Sequence, residues 1–408
     1  MPSRPAATPG LERNVTVLAA TIFGLALGEE LWQAYMPAYL TALGASGLVV
    51  GLFGSLRDLL DSLYQYPGGW IADRVGRRRA LLLFTSLATA GYAIYALFPG
   101  WPFLFAGLFF VMAWKAGAFA TTFAVIGDSL PRERRAIAFS VQSILIRVPR
   151  VIAAPLGGLA IAAFGMAAGI RLCFVITVLL ALVVLAVQHR GLRPVSLEPS
   201  APLVHTSRGV GRTLPPGLRR LLAADCLVRI GEGLAASFIV LYLTQDRQVP
   251  AGEYGLLYAL QQTVALVAYL PGGRIADRTG RSPMIAVTLT FFALFPLAVR
   301  LAAGYPGLVA AFVIGGLKEI GEPARKSLIV DLAPDDRRAS TVGLYYAIRN
   351  FLVVPAGLLG GLLWERAHHL PLEAGFVVGL VGVVVFVLGA RRNGDTQLNA
   401  KSLILQNR

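Results

Sequence analysis

Apolar residues recur along the chain in long uninterrupted blocks, and polar residues gather in the short stretches between them. Residues 81–98 and 172–187 are typical blocks. A helix of about 20 apolar residues crosses the roughly 30 Å hydrocarbon core of a bilayer. Such blocks cover nearly the whole chain, so the pattern predicts an all-α membrane protein. We predict twelve transmembrane helices with these bounds: 15–41, 47–70, 80–98, 103–127, 137–162, 170–188, 218–243, 253–274, 283–302, 307–331, 339–363 and 373–390.

The composition supports a membrane protein. Of the 408 residues, 56% are hydrophobic and 14% are charged, whereas soluble domains carry about 25% charged residues. The polar residues 1–13 and the long first span lead us to expect no cleavable signal peptide. Cys173 and Cys226 both fall inside predicted spans, which excludes a disulfide framework.

Arginines are concentrated in alternate loops, and the loops between these hold few. Basic residues collect on the cytoplasmic side of membrane proteins, so this asymmetry predicts that both termini are cytoplasmic. The net charge of +15 is therefore explained by the orientation of the protein in the membrane, and we expect no nucleic-acid partner. The arginine-rich stretches are 74–79, 132–135, 190–220, 274–281, 325–338 and 391–392.

The two halves of the chain repeat one another. The residue pair Gly28-Glu29 recurs as Gly231-Glu232, and Gly157-Gly158 recurs as Gly360-Gly361, each 203 positions later. This offset predicts two parallel repeats of six helices, because each half begins and ends on the same side. The predicted domains are a first bundle at 1–188, a proline-rich cytoplasmic linker at 189–217, a second bundle at 218–392 and a polar tail at 393–408, which we expect to be disordered.

The segment PGGWIADRVGRRR at 67–79 recurs as PGGRIADRTGR at 271–281, each time directly after an apolar block. Glycine permits a tight turn with positive φ and close helix packing, and an aspartate at the membrane edge can accept hydrogen bonds from a helix N-terminus. The segment is either a gate that opens and closes, or a basic turn that fixes topology. The related segments DSLPRERR (128–135) and DLAPDDRR (331–338) are predicted to lie at the same cytoplasmic edge of the membrane. The predicted cytoplasmic gate comprises Gly69, Asp73, Arg74, Gly76, Arg77, Asp128, Gly273, Asp277, Arg278, Gly280, Arg281 and Asp331.

With this loop and this repeat, the chain resembles the major facilitator superfamily of secondary transporters. The loop signature of that family is Gly-x-x-x-Asp-Arg-x-Gly-Arg-Arg, which residues 69–78 match and residues 273–281 match again. The resemblance covers all the predicted spans. It implies two pseudo-symmetric six-helix bundles that rock about a central cavity, which spans one, four, seven and ten line.

Ionisable residues occur inside the predicted spans, where they normally face a cavity or one another. Glu29 and Glu232 are 203 positions apart, as are Lys115 and Lys318. All four lie near the middle of spans that line the cavity in the resembling family. A charge facing lipid at the bilayer centre costs at least about 2.5–3.5 kcal/mol, so we expect these four to surround the cavity. The predicted substrate or proton cavity comprises Glu29, Glu30, Gln33, Arg57, Asp58, Asp61, Lys115, Arg147, Arg229, Glu232, Gln261, Lys318, Glu322 and Arg349.

Three roles for these charges stay open on the sequence alone. They can coordinate a charged substrate, they can exchange protons as substrate binds, or they can form static ion pairs. Pairs four residues apart on one helix would favour the static role. The pairs with this spacing are Asp225/Arg229, Lys318/Glu322 and Arg57/Asp61.

The segment AAPLGG at 153–158 is similar to the Gly-Pro-x-x-Gly-Gly motif of the drug/proton antiporter branch, which favours efflux. Ala154 replaces the first glycine, and one residue is missing between Pro155 and Gly157. We find no phosphate-binding loop, metal-ligand spacing or nucleophile motif, so we predict no enzyme, no catalytic or metal residues and no cofactor.

We therefore predict a proton-coupled secondary active transporter that exports a small amphipathic or charged organic compound by alternating access. The expected partners are a small-molecule substrate, protons and the lipid bilayer. We expect a monomer in the cell membrane, specifically a bacterial inner membrane. Two alternatives stay open: an uptake symporter or exchanger for an organic anion or zwitterion, and a non-transporting membrane receptor or partner-binding protein.

Overall fold

The structure is a computed structural model that describes residues 9–118, 132–192, 214–334 and 338–406. For some helical residues in these ranges, including Asp73 and Asp277, only the backbone is described. These ranges are helical apart from short turns, and they contain no strand. The helices are α1 (Pro9–Glu30), α2 (Met36–Ala42), α3 (Gly47–Val75), α4 (Arg77–Leu97), α5 (Trp101–Met112), α6 (Arg132–Gly191), α7 (Pro216–Leu241), α8 (Ala251–Thr279), α9 (Arg281–Leu301), α10 (Gly304–Leu317), α11 (Glu322–Leu332), α12 (Arg338–Val353), α13 (Pro355–Arg366) and α14 (Leu370–Gln406).

The all-helical prediction is confirmed for the described residues, and several helices could cross a membrane. By length and composition, six spans in the described residues qualify. The number twelve and the placement of the termini stay predictions. The spans that qualify are Arg77–Leu97, Arg147–Gly191, Pro216–Asp246, Arg281–Leu301, Thr341–Arg366 and Leu370–Gly389.

The structure changes one detail of the predicted layout. The tail from residue 393 is not irregular, because α14 continues to Gln406. The fifth and sixth predicted spans correspond to two helical segments of α6, which are separated at Gly165 by non-helical backbone with φ 80° and ψ 167°. Glycine adopts positive φ without a steric penalty, so this residue makes the turn between the two spans.

The chain divides into two compact units, each of which is discontinuous in sequence. Unit 1 comprises Met1–Ser46, Leu56–Leu203 and Leu243–Ala259, and unit 2 comprises Gly47–Ser55, Val204–Tyr242 and Leu260–Arg408. The first turns of α3 therefore belong to unit 2, and those of α8 belong to unit 1. The simple division at a linker stays a prediction, and the interior of that linker lies outside the described residues.

In each unit, two long helices pack along one another through small residues. In unit 1, α1 packs along α6, where Gly28 lies against Thr177. In unit 2, α7 packs along α14, where Gly231 lies against the backbone of Gly375. The absence of a side chain lets helix backbones approach closely in membrane proteins, so glycine at these positions fixes the packing.

Glycine also allows the first turns of α3 and α8 to pack closely against neighbouring helices. In unit 2, the backbone of Gly51 in α3 lies against that of Gly357 in α13. In unit 1, a side chain added at Gly255 of α8 would lie 2.8 Å from the carbonyl oxygen of Ala154 in α6. Gly357 and Ala154 are 203 positions apart, so the repeat places small residues at corresponding contacts.

Candidate functional site

In unit 1, the predicted site residues Glu29 and Lys115 lie together. Glu29 is 6% exposed near the end of α1, and the Tyr92 hydroxyl of α4 donates a hydrogen bond to its Oε1 at 2.5 Å. Lys115 lies in a π-helical turn at Ala113–Ala118 that follows α5. Its ammonium lies 3.6 Å from Oε2 of Glu29 and donates to Gln33 Oε1 at 2.6 Å. Glu29 is therefore held closely by a neutral hydroxyl and more distantly by a cation.

Other predicted charges of unit 1 form separate pairs. Arg150 donates to the buried Glu30 at 2.9 Å, which joins α6 to α1. Arg57 pairs with its neighbour Asp58 at 3.2 Å, and these side chains are 40% and 37% exposed. A pair this exposed contributes at most about 1 kcal/mol to stability in water. Asp61 and Arg147, which are also predicted site residues, are half-buried in the same unit.

In unit 2, Glu232 is held by two cations. Lys318 donates to its Oε1 at 2.6 Å, and Arg229 donates to its Oε2 at 2.8 Å. Lys318 lies at the end of α10, where a turn interrupts the helix before α11 begins at Glu322. Both repeat-related lysines thus lie where a span departs from regular α-helix.

A second group of charges in unit 2 surrounds Arg325, whose side chain is 2% exposed. Its guanidinium donates to both oxygens of Asp225 at 2.5 Å and to Glu322 at 2.8 and 2.9 Å. The Tyr345 hydroxyl donates to Asp225 at 2.9 Å. Buried charges in a membrane helix are costly unless they are paired, and these groups satisfy one another. We call Asp225, Arg229, Glu232, Lys318, Glu322, Arg325 and Arg349 together the unit 2 cluster.

The cluster corrects two predicted pairs along single helices. Asp225 binds Arg325, 100 positions away, rather than Arg229, and Lys318 binds Glu232 rather than Glu322. The second prediction is wrong because Lys318 and Glu322 are separated by the turn between α10 and α11, so i,i+4 geometry does not apply. Arg229 instead approaches Glu322 at 3.9 Å from a neighbouring helix.

The two copies of the repeat therefore place their central carboxylates in different surroundings. The position 203 residues after Tyr92 is Phe295, which has no hydroxyl. The site residues predicted from the sequence do not include Tyr92, Arg150, Asp225, Arg325 or Tyr345. The tyrosines carried no signal, because a tyrosine in an apolar helix resembles any packing residue, whereas intramembrane charge could have identified the other three.

Glycine at the predicted cytoplasmic gate has the conformation expected from the sequence. Gly76 and Gly280 precede α4 and α9 with φ values of 85° and 94°, so both loop copies make the same turn. Close helix approach is made by Gly272, which lies against the backbone of Ile320, whereas a side chain added at Gly273 would meet nothing within 4 Å.

The charged gate residues are only partly described. Arg281 forms an exposed ion pair with Asp331, and the Arg74 guanidinium lies 3.9 Å from the centre of the Trp70 ring. Arg77 begins α4, and Arg278 is exposed near the end of α8. The side chains of Asp73 and Asp277, the burial of Gly69 and the whole of Asp128 lie outside what the structure describes.

The predicted cavity residue Gln261 is buried in α8, and its side-chain amide lies close to Gly315 of α10. An apolar cavity of about 280 Å³ lies elsewhere, between α3, α4 and α5 of unit 1, and its lining includes Tyr64, Phe84 and Phe110. None of the predicted charged residues lines it. Within the described residues, no group of three or more potential metal ligands is present.

Apolar helices that carry paired charges in their interior are typical of multi-pass membrane proteins of the transporter class. The family model of the Major Facilitator Superfamily matches residues 18–218 and 221–402. The chain therefore belongs to this superfamily, as its loops and internal repeat predicted.

Two relatives illustrate the range of similarity. An uncharacterized MFS-type transporter of Methanocaldococcus jannaschii is 21% identical over 381 residues, covering 91% of this chain and 93% of that protein. The quinolone resistance protein NorA of Staphylococcus aureus is 27% identical over 165 residues, covering 40% of this chain and 41% of NorA. The match to NorA thus spans less than half of either protein.

Solved structures share the fold at low identity. A bacterial homologue of the human lysosomal transporter Spinster, in an inward-facing and occupied conformation, has a TM-score of 0.74 at 15% identity, covering 95% of this chain and 98% of that one. A POT family transporter in complex with 5-aminolevulinic acid has a TM-score of 0.73 at 15% identity, covering 92% and 95%. These likenesses support the fold alone.

Proposed function

We propose that the protein is a proton-coupled secondary active transporter that exports a small amphipathic or charged organic compound by rocking alternating access. The observation that carries the proposal is the repeated carboxylate–lysine arrangement. Glu29 with Lys115 and Glu232 with Lys318 occur at the same offset, and each pair lies inside one helical unit. Intramembrane ionisable groups are costly to retain and commonly serve substrate or ion pathways.

Glu29 is the better of the two carboxylates for carrying the proton. Its closest partner is the neutral Tyr92 hydroxyl, and the Lys115 ammonium is 3.6 Å away and bound to Gln33. Glu232 contacts two cations at 2.6 and 2.8 Å, so its carboxylate is engaged in two ion pairs. We therefore assign proton exchange to Glu29 and orientation of the site to Glu232.

The direction of transport is part of the proposal. Partial similarity to NorA, a quinolone resistance protein, and the AAPLGG segment at 153–158 support export. Uptake of an organic anion or zwitterion by a symporter or exchanger is the second candidate, in which Lys115 and Lys318 would bind the substrate. We further propose two six-helix bundles, cytoplasmic termini, a monomeric state and a bacterial inner membrane as the location.

Reconstituted vesicles with an imposed pH difference test the function. We expect wild-type protein to drive substrate-dependent proton movement, and Glu29→Gln to abolish it while the protein still inserts. Glu232→Gln should weaken transport by disturbing the site. Glu253→Gln, at an exposed position near the start of α8, is the matched control and should behave as wild type. Proton coupling that survives both Glu29→Gln and Glu232→Gln would falsify the proposal.

A further inference from the structure

The unit 2 cluster contains more positive than negative charge. Its carboxylates are Asp225, Glu232 and Glu322, and its cations are Arg229, Lys318, Arg325 and Arg349. Two further residues border it. Lys326 lies 3.6 Å from Glu322, and the half-buried Glu319 follows Lys318 along the chain. Counting both leaves five cations against four carboxylates, so one positive charge remains in excess.

The excess charge is located at Arg349. Its Nη1 lies 3.7 Å from Oδ2 of Asp225, but Arg325 already occupies both oxygens of that carboxylate at 2.5 Å. The Tyr345 hydroxyl binds the same Oδ2 at 2.9 Å. Oδ2, the oxygen nearest Arg349, therefore already accepts two hydrogen bonds, and Arg349 lies beyond hydrogen-bond distance from it.

The other partners of Arg349 are neutral. Its guanidinium donates to the side-chain oxygen of Asn350 at 2.9 and 3.2 Å and lies 4.7 Å from the centre of the Tyr346 ring. The side chain is 17% exposed, so it is not sealed inside the protein. By contrast, Arg325 is 2% exposed and already binds two carboxylates.

We propose that Arg349 binds an anionic group of the transported compound, a carboxylate, phosphate or sulfonate, and that this anion neutralises the cluster. The proposal rests on the proposed transport function and specifies its substrate class. A guanidinium presents a planar set of donors that matches these oxyanions in a bidentate way. An amphipathic anion would place its apolar part beside the Tyr346 ring, which already stacks on the guanidinium.

Thermal unfolding of the full-length protein in detergent tests this subsite without requiring transport. Three aromatic probes of similar size differ in charge and are compared at constant ionic strength and low chloride: benzoate is an anion, benzamide is neutral and benzylammonium is a cation. A ligand that binds the folded state raises Tm, so we expect benzoate to raise it by several degrees more than the other two. Equal shifts for all three probes would overturn the proposal.

Variants of Arg349 test whether the rise in Tm caused by benzoate depends on this residue. Arg349→Gln should keep the Tm of unliganded protein close to wild type, because it removes an excess charge, and should lose the shift caused by benzoate. Arg349→Lys should retain part of the shift, and it remains informative if Arg349→Gln does not fold. Arg366→Gln, an exposed arginine at the end of α13, is the control and should respond as wild type. A full benzoate shift in Arg349→Gln would reject the assignment.

A sulfate arm separates an organic substrate from a free inorganic anion. Benzoate should stabilise the protein more than sulfate at equal concentration, and equal stabilisation would reject an organic ligand. The result is also separable from the transport function. Benzoate stabilisation that depends on Arg349, without proton-coupled transport, would retain the subsite and reject the function. Proton-coupled export restricted to cations would retain the transport function and reject the anion subsite.

Discussion

The ammonium nitrogen of Lys318 lies 2.6 Å from Oε1 of Glu232, a contact that joins the end of α10 to α7. In the other repeat, the ammonium nitrogen of Lys115 lies 3.6 Å from Oε2 of Glu29, and the Tyr92 hydroxyl donates to the other oxygen of that carboxylate, Oε1. One duplicated pattern has thus produced one tight ion pair and one looser pair. This difference gives the two repeats different chemistry.

Replacing Tyr92 with phenylalanine should change the pH dependence of transport. The variant keeps the ring and loses the hydroxyl that donates to Glu29 at 2.5 Å. This hydroxyl is the closest partner of the carboxylate to which we assign proton exchange, so its loss should change the pH profile of transport. Transport measured in vesicles across a pH series checks this.

Tyr95→Phe is the matched control for Tyr92→Phe. The Tyr95 hydroxyl is buried and has no hydrogen-bond partner within the part of the chain that the structure describes, so its removal should leave the pH profile in place. Identical profiles for Tyr92→Phe and wild type would show that the hydroxyl does not tune Glu29.

Arg325→Met should destabilise the protein strongly. The change leaves Asp225 and Glu322 without their main partner in a region where Arg325 is 2% exposed. Breaking a buried ion pair by removing one partner costs about 3–5 kcal/mol. Thermal unfolding in detergent measures the loss, and adding Asp225→Asn to Arg325→Met should recover part of it. No recovery in the double variant would contradict direct pairing of these residues.

Gly51→Val should lower stability because no side chain fits between α3 and α13. An added Cβ would meet the backbone of Gly357, which cannot rotate away as a side chain can. Overpacking of this kind typically costs about 1–3 kcal/mol. Gly343→Ala is the control, since a Cβ there meets nothing within 4 Å. Equal Tm values for the two variants would argue against a tight contact.

Asp331→Asn should affect turnover more than stability. The ion pair of Asp331 with Arg281 is between side chains 51% and 42% exposed, and exposed pairs contribute about 0–1 kcal/mol. If the pair belongs to a gate, its loss should change the transport rate while Tm stays near that of wild type. Unchanged turnover would identify a surface pair with no role in gating.

Neutralising Asp73 should slow transport more than neutralising Asp277. This prediction comes from the sequence, because three arginines follow the first loop copy at 77–79, whereas the second copy continues as Arg-Ser-Pro at 281–283. Turnover and substrate binding of Asp73→Asn and Asp277→Asn should be compared. We expect little loss of binding in either variant, and a slower Asp277→Asn would reverse the proposed order.

Patterns in the sequence determined the helical class, the internal repeat, the superfamily and the turns at Gly76 and Gly280. Apart from the repeat, each depends on residues close together in sequence: apolar blocks long enough to span a bilayer, a glycine where φ is positive, and a short loop motif. The offset of 203 positions also related Glu29 to Glu232 and Lys115 to Lys318, but it did not indicate which lysine lies beside which carboxylate.

Only the tertiary structure decided which groups bind each other and how closely. Lys318 binds a carboxylate 86 positions away rather than one four positions away, and Glu29 accepts its shortest hydrogen bond from a tyrosine 63 positions away. Spacing along one helix sets which residues share a face. Pairing between helices depends on the depth and rotation at which they pack and on where a helix breaks, as α10 does after Leu317.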